Sequence, residues 1–127
     1  MQTLEKMKIL KIDNCECLTH IPDVSCLPNL EKISFKNCKS LTEIHDSIGF
    51  LRQLQILILS GSNIKILPES LKNCLSVKCI VLDDCKTLEE IRGIPPNLIA
   101  LSALRCKSLT SSSKSMLMSQ VLLFYLA

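Results

Sequence analysis

Cysteine and histidine are the side chains of this 127-residue chain with the widest chemical reach, eight of the former and two of the latter. Thiolates and imidazoles hold zinc when they come in paired sets at short spacing. Cys15-x-Cys17 is a close pair, with His20 and His45 within reach along the chain, but no Cys-x-x-Cys pair accompanies it. Metal binding is therefore not expected. The alternative chemistry, a disulfide framework, fits no better, because Cys15, Cys38, Cys85 and Cys106 recur in step with an apolar pattern. No nucleophile and base lie at informative spacing, and no Gly-x-x-x-x-Gly-Lys-Ser/Thr phosphate loop occurs. Neither catalysis nor a cofactor is expected of this chain.

The elements that hold those cysteines follow one template, L-x-x-L-x-L-x-x-C-x-x-L-x-x-I/L, where L is any apolar residue. Its first copy is Met7, Leu10, Ile12, Cys15, Leu18 and Ile21, and its second is Leu30, Ile33, Phe35, Cys38, Leu41 and Ile44. The third runs Leu54, Leu57, Leu59 with Ser62 at the cysteine position, after which Ile64 and Leu67 arrive one residue early. The fourth is Val77, Ile80, Leu82, Cys85, Leu88 and Ile91, and the fifth Leu98, Leu101, Ala103, Cys106 and Leu109. Starts at 7, 30, 54, 77 and 98 lie within the 20 to 29 or so residues of leucine-rich repeats. The expected fold is an α/β repeat solenoid, a horseshoe segment with a parallel β-sheet on its concave side. Prolines 22, 28 and 68 leave only short helical or irregular stretches for the convex side.

Within each repeat L-x-L reads as a short strand whose apolar side chains point into the coil while their neighbours point out. At the turn that follows, backbone groups enter a dry interior and need partners. A small side chain with a weak donor suits that place, so Cys15, Cys38, Ser62, Cys85 and Cys106 are expected to stack as a buried ladder. Stacked rungs come within disulfide reach, but parallel side-chain directions and a reducing compartment argue against bonds.

The outward residues can be written as rows across the sheet. One is Ile9, Lys32, Ile56, Cys79 and Ala100; the next is Lys11, Ser34, Ile58, Val81 and Ser102; a third is Asp13, Lys36, Ser60, Asp83 and Leu104. Ile56, Ile58, Cys79 and Val81 thus form an apolar patch flanked by Lys32, Lys36, Asp83 and Asp84, a pattern that suits a protein contact. β-branched residues also simply favour strands, and the sequence leaves both readings open.

An apolar share of 47% is enough for a core, and 3% aromatics with no Trp make that core aliphatic. A net charge of +3 without long runs of like charge gives no nucleic-acid tract. The first residues, Met-Gln-Thr-Leu-Glu-Lys, lack a signal-peptide apolar run. The longest apolar stretch, Val121 to Ala127, is far shorter than a membrane span. No Asn-x-Ser/Thr sequon occurs. Partners among nucleic acids and membranes are not expected, and the expected compartment is the cytoplasm or nucleus. A lone coil buries too few side chains to offset its ordering entropy and needs neighbours and caps. With repeats filling residues 1–110, further coils are expected upstream. The template stops after Leu109, and 111–127 reads as a post-repeat tail, either a short closing helix or an aberrant terminus.

Three phrases carry a more specific likeness: Leu-Thr-His-Ile-Pro-Asp-Val-Ser-Cys-Leu-Pro-Asn-Leu (18–30), Leu-Ser-Gly-Ser-Asn-Ile-Lys-Ile-Leu-Pro-Glu-Ser-Leu (59–71) and Ile-Pro-Pro-Asn-Leu-Ile-Ala-Leu-Ser-Ala-Leu-Arg-Cys-Lys-Ser-Leu-Thr (94–110). They resemble the C-terminal repeats of plant TIR-type nucleotide-binding leucine-rich-repeat disease-resistance proteins, over about residues 4–120. In that family a TIR domain cleaves NAD, a central switch binds ADP or ATP, and the repeats sense a pathogen effector and help hold the switch off. The resemblance implies a recognition role, with a pathogen effector, a guarded host protein or the parent's own nucleotide-binding domain as partner. ADP or ATP would belong to that absent domain. Two other leucine-rich-repeat readings compete. Extracellular receptors carry Leu-x-Gly-x-Ile-Pro, where this chain has Thr-His or Thr-Glu. Ubiquitin-ligase substrate adaptors share the turn cysteine but have more regularly helical convex segments.

Overall fold

The computed structural model describes residues 5–120 and 123–126. Ile9–Lys11 (β1), Lys32–Ser34 (β3), Ile56–Ile58 (β5), Cys79–Val81 (β7) and Ala100–Ala103 (β9) are the L-x-L strands of five successive coils. They pair in parallel and in register, with Leu10, Ile33, Leu57, Ile80 and Leu101 side by side on adjoining strands. That register is forced, because a one-residue slip would turn every inward side chain to the solvent. The result is a leucine-rich-repeat solenoid segment, with one aliphatic core running through all the coils.

A second strand in each of the first four coils stacks on the flank: His20–Ile21 (β2), Glu43–Ile44 (β4), Ile66–Leu67 (β6) and Glu90–Ile91 (β8). These strands do not form one ladder. β2 pairs with β4 and β6 with β8, while β4 and β6 are unpaired. The break falls at the coil that is one residue short. On the convex side, 3-10 turns at Asp46–Phe50 and Glu69–Asn73 supply the short helical stretches expected there. The first coil, with Pro22 and Pro28, stays irregular.

Past Leu109 the chain continues in two regular elements. Ser111–Gln120 is an α-helix (α1), and Leu123–Leu126 is a sixth strand (β10) that pairs in parallel with β9, Phe124 opposite Leu101. Val121, Phe124 and Leu126 stand 23 residues after Leu98, Leu101 and Ala103, so the apolar tail carries the L-x-x-L-x-L start of another coil. Val121, Leu122 and Ala127 themselves lie outside the described residues. The serine-rich helix has little intrinsic propensity and is held by tertiary contacts. Thr110 Oγ1 accepts the Ser113 N–H at 3.3 Å as an N-cap, and Ser113 Oγ accepts the buried Ile91 N–H at 3.1 Å. Leu117, four residues on, is fully buried.

The first coil is the less covered one. Met7, Leu10, Cys15 and Leu18 are half-buried, whereas their counterparts Leu30, Ile33, Cys38 and Leu41 are completely buried. Each later coil is packed on both sides, which is why solenoid stability is a nearest-neighbour property.

Candidate protein-binding face

The strand register sets the outward rows by main-chain pairing. Ile9, Lys32, Ile56, Cys79 and Ala100 are successive partners, as are Lys11, Ser34, Ile58, Val81 and Ser102. With parallel strands roughly 4.8 Å apart, Ile56, Ile58, Cys79 and Val81 form one contiguous block, each half-exposed. Beside it on the second coil stand Lys32, half-exposed, and Lys36, exposed. Their ammonium groups have no ion-pair partner among the described residues, in contrast to Lys8 with Glu31 and Lys11 with Asp13. Cationic tips beside an aliphatic floor suit a protein surface of opposite charge.

The acidic members of the predicted rim are tied into the solenoid. Asp83 Oδ1 accepts hydrogen bonds from Ser102 Oγ at 2.6 Å and from the Leu104 N–H at 2.8 Å. Asp13 repeats this with Ser34 Oγ at 2.8 Å and the Lys36 N–H at 2.9 Å. Ser34, placed in an outward row, is consequently buried. Asp84 forms a two-point ion pair with Arg105 at 2.6 and 3.1 Å. The Arg105 guanidinium holds the Asp84 carboxyl below its usual value.

The turn ladder has a definite hydrogen-bond logic. Cys38 Sγ donates to the Ile12 carbonyl at 3.0 Å, Cys85 to Leu59 at 3.2 Å and Cys106 to Leu82 at 3.0 Å. Each thiol thus bonds the carbonyl of the residue just past the strand of the coil before it. Ser62 is fully buried, with its hydroxyl 3.5 Å from Cys85 Sγ. Cys15, in the first coil, is only half-buried. Hydrogen bonding to Cys85, together with burial, raises the Cys106 thiol well above its usual value. All eight cysteines are free thiols.

Two structural sets escaped the sequence reading. Asn14, Asn37, Gly61, Asp84 and Arg105, each just before a ladder position, all have φ between 57° and 75°. Asn, Asp and Gly tolerate this left-handed conformation best, so the Asn-Cys, Asn-Cys, Gly-Ser and Asp-Cys pairs were a readable turn signal. Asp84 is thereby a turn residue first and a rim residue second. The other is Cys74, whose Sγ donates to the Ile48 carbonyl at 3.3 Å on the convex side. It belongs to no template position, and its burial offered the sequence no comparable signal.

No family model matches the chain. Among curated proteins of Arabidopsis thaliana, disease resistance-like protein DSC1 is 30% identical over 135 residues, covering 85% of this chain. Disease resistance protein RRS1 is 31% identical over 114 residues, covering 76% of it. This chain is a homologue of plant disease-resistance proteins. Disease resistance protein RPS4 agrees, at 29% identity over 136 residues and 90% of the chain. The chain spans only 9% to 11% of the length of these resistance proteins. No helix among the described residues is long and apolar enough to cross a membrane.

Proposed function

We propose that this chain is the protein-recognition segment of a plant immune receptor, with its concave sheet as the contact face. The observation that carries the reading is the half-exposed block of Ile56, Ile58, Cys79 and Val81 beside the unpaired Lys32 and Lys36. Aliphatic side chains there can be desolvated by a partner while the two ammonium groups choose its charge. The partner is a pathogen effector, a guarded host protein or the receptor's own nucleotide-binding domain, met in the cytoplasm or nucleus. In this reading the chain binds and does not catalyse. Any ADP or ATP belongs to the nucleotide-binding domain of a longer parent, and no nucleic acid or membrane is engaged.

The test is proximity labelling in leaf cells with the natural chain and with an Ile58→Glu, Val81→Glu variant accumulating to the same level. Both substituted side chains point out of the sheet, so folding is retained, as far-ultraviolet circular dichroism will register. A labelled protein set that disappears in the variant supports the reading. An unchanged set refutes it.

A further inference from the structure

The flank break between the second and third coils leaves backbone groups without their regular partners. Elsewhere on that flank, backbone bonds recur at matching positions of successive coils. Thr42 N–H donates to the Thr19 carbonyl at 2.8 Å and His45 N–H to Ile21 at 3.1 Å. One boundary further on, Glu89 N–H donates to Lys65 at 2.8 Å and Arg92 N–H to Leu67 at 2.9 Å. The equivalent donors between the second and third coils are Lys65 and position 68. Position 68 is Pro68, which has no N–H to give, and no backbone hydrogen bond joins Lys65 N–H to the second coil.

The cause is visible on either side of the break. Asn63 N–H still reaches the Leu41 carbonyl at 2.9 Å. At the 3-10 turns the coils meet again, with Gly49 so close that a Cβ there would lie 2.6 Å from the Ser70 carbonyl oxygen. Between these two points the third coil is one residue short, and the walls part to enclose a cleft of about 720 Å³. Thr42, Glu43 and Ile44 line one side, and Lys65, Ile66 and Pro68 the other. Asp46 extends the acidic wall. Glu43, Asp46 and Lys65 have no ion-pair partner among the described residues.

We propose that this cleft binds a short extended peptide, which adds its main chain to the unpaired edges of β4 and β6. An open sheet edge is a template for another strand, and strand addition draws affinity from the main chain and selectivity from alternate side chains. The Ile44 carbonyl accepts an N–H from the peptide, and Lys65 N–H donates to one of its carbonyls. Ile44 and Ile66 offer an aliphatic floor. A basic side chain of the peptide faces Glu43 and Asp46, and an acidic one faces Lys65. Walls of opposite charge with free backbone donors and acceptors match a peptide of mixed charge. The site is separate from the concave face and does not depend on that reading.

The experiment is an amide NMR titration of the full chain with two synthetic peptides, acetyl-Lys-Val-Thr-Val-Glu-amide and its charge-reversed counterpart acetyl-Glu-Val-Thr-Val-Lys-amide. Shifts confined to residues 42–46 and 65–69 are expected. A variant that inserts one residue after Ser62 and carries Pro68→Arg restores the two missing bonds, gains hydrogen-exchange protection there, and weakens binding by about tenfold or more. Glu43→Lys with Asp46→Lys, which leaves the backbone untouched, makes both walls basic and abolishes the preference between the peptides, and serves should the insertion variant not fold. No shifts at millimolar peptide, shifts located on the concave strands, or unchanged preference in the Glu43→Lys, Asp46→Lys variant would each overturn the proposal. Ile58→Glu with Val81→Glu leaves peptide binding unaltered, which separates this site from the concave face.

Discussion

Asp83 and Ser102 stand on neighbouring coils with Oδ1 and Oγ 2.6 Å apart, and the same carboxylate oxygen takes the Leu104 N–H at 2.8 Å. One acidic side chain thereby locks the end of β9 to the turn of the coil before it. Hydrogen bonds to a charged group contribute about 1.5–3 kcal/mol. Asp83→Ala is expected to lower stability by that order, whereas Asp83→Asn, which keeps an acceptor, costs less. Urea unfolding of the two variants measures the difference, and equal midpoints would remove the locking role.

Gly61 holds the left-handed turn of the short coil at φ 75°, and a Cβ there would sit 2.5 Å from Asn37 Oδ1. Gly61→Ala meets both the backbone penalty and that contact. A loss of about 1–2 kcal/mol is expected, read from thermal or urea unfolding, while Asn37→Gly in the same background should recover part of it, because glycine clears the contact and still suits the left-handed φ of 57° at that position.

The thiol of Cys85 is the donor for the Leu59 carbonyl. Cys85→Ala removes that bond, leaving the Leu59 carbonyl only the Ser62 N–H at 3.2 Å, and is expected to cost about 0.5–1.5 kcal/mol. Cys85→Ser keeps a donor, and nature already places Ser62 on the neighbouring rung, so its cost should be clearly smaller. Unfolding free energies that rank the two variants the other way would show that packing volume governs the rung.

Stability should fall at both ends of the pH scale. Burial pushes the Asp13 carboxyl up, but hydrogen bonds from Lys36 N–H and Ser34, with Lys11 and Lys36 nearby, outweigh it and leave the carboxyl below its ordinary 3.8. Asp84 is lowered by Arg105. Groups lowered in the fold stabilise it above the ordinary value, and that contribution disappears as pH falls through the folded one. Burial raises Cys74 from 9.0 to about 11. Its contribution is complete below pH 9.0 and is lost as pH rises towards about 11. Urea midpoints followed across pH should decline at both extremes. Asp13→Asn should flatten the acid limb and Cys74→Ala the alkaline one.

Ser113 joins the tail helix to the core by accepting the buried Ile91 N–H at 3.1 Å. Ser113→Ala is expected to cost about 1 kcal/mol or more and, because the contact is the helix's own anchor, to raise hydrogen exchange across 111–120 ahead of the rest. Uniform exchange along the chain would instead mean that the helix opens only with global unfolding.

The concave sheet was the part of the fold most legible in the residues. Ile9, Lys32, Ile56, Cys79 and Ala100 could be aligned from the sequence because alternation along a strand leaves only one way to bury Leu10, Ile33, Leu57, Ile80 and Leu101 together. The apolar patch on its third and fourth coils was legible for the same reason. Asp83 and Asp84 were not, since a carboxylate on a turn reads as exposed until the partner from the next coil, Ser102 or Arg105, is seen beside it.

What the order of residues determined alone was the coil: its length, its inward face, its rung of thiol or hydroxyl, and the one-residue shortening after Ser62. These are local consequences of period and polarity. Stacking decided the rest. That the shortening opens a cleft depends on Pro68 falling where a ladder donor is needed, and that a serine-rich stretch becomes helix α1 depends on Ile91 N–H and the core around Leu117 receiving it. Both are relations between coils some 22 or 23 residues apart, satisfied or left open only when neighbouring turns are laid against each other.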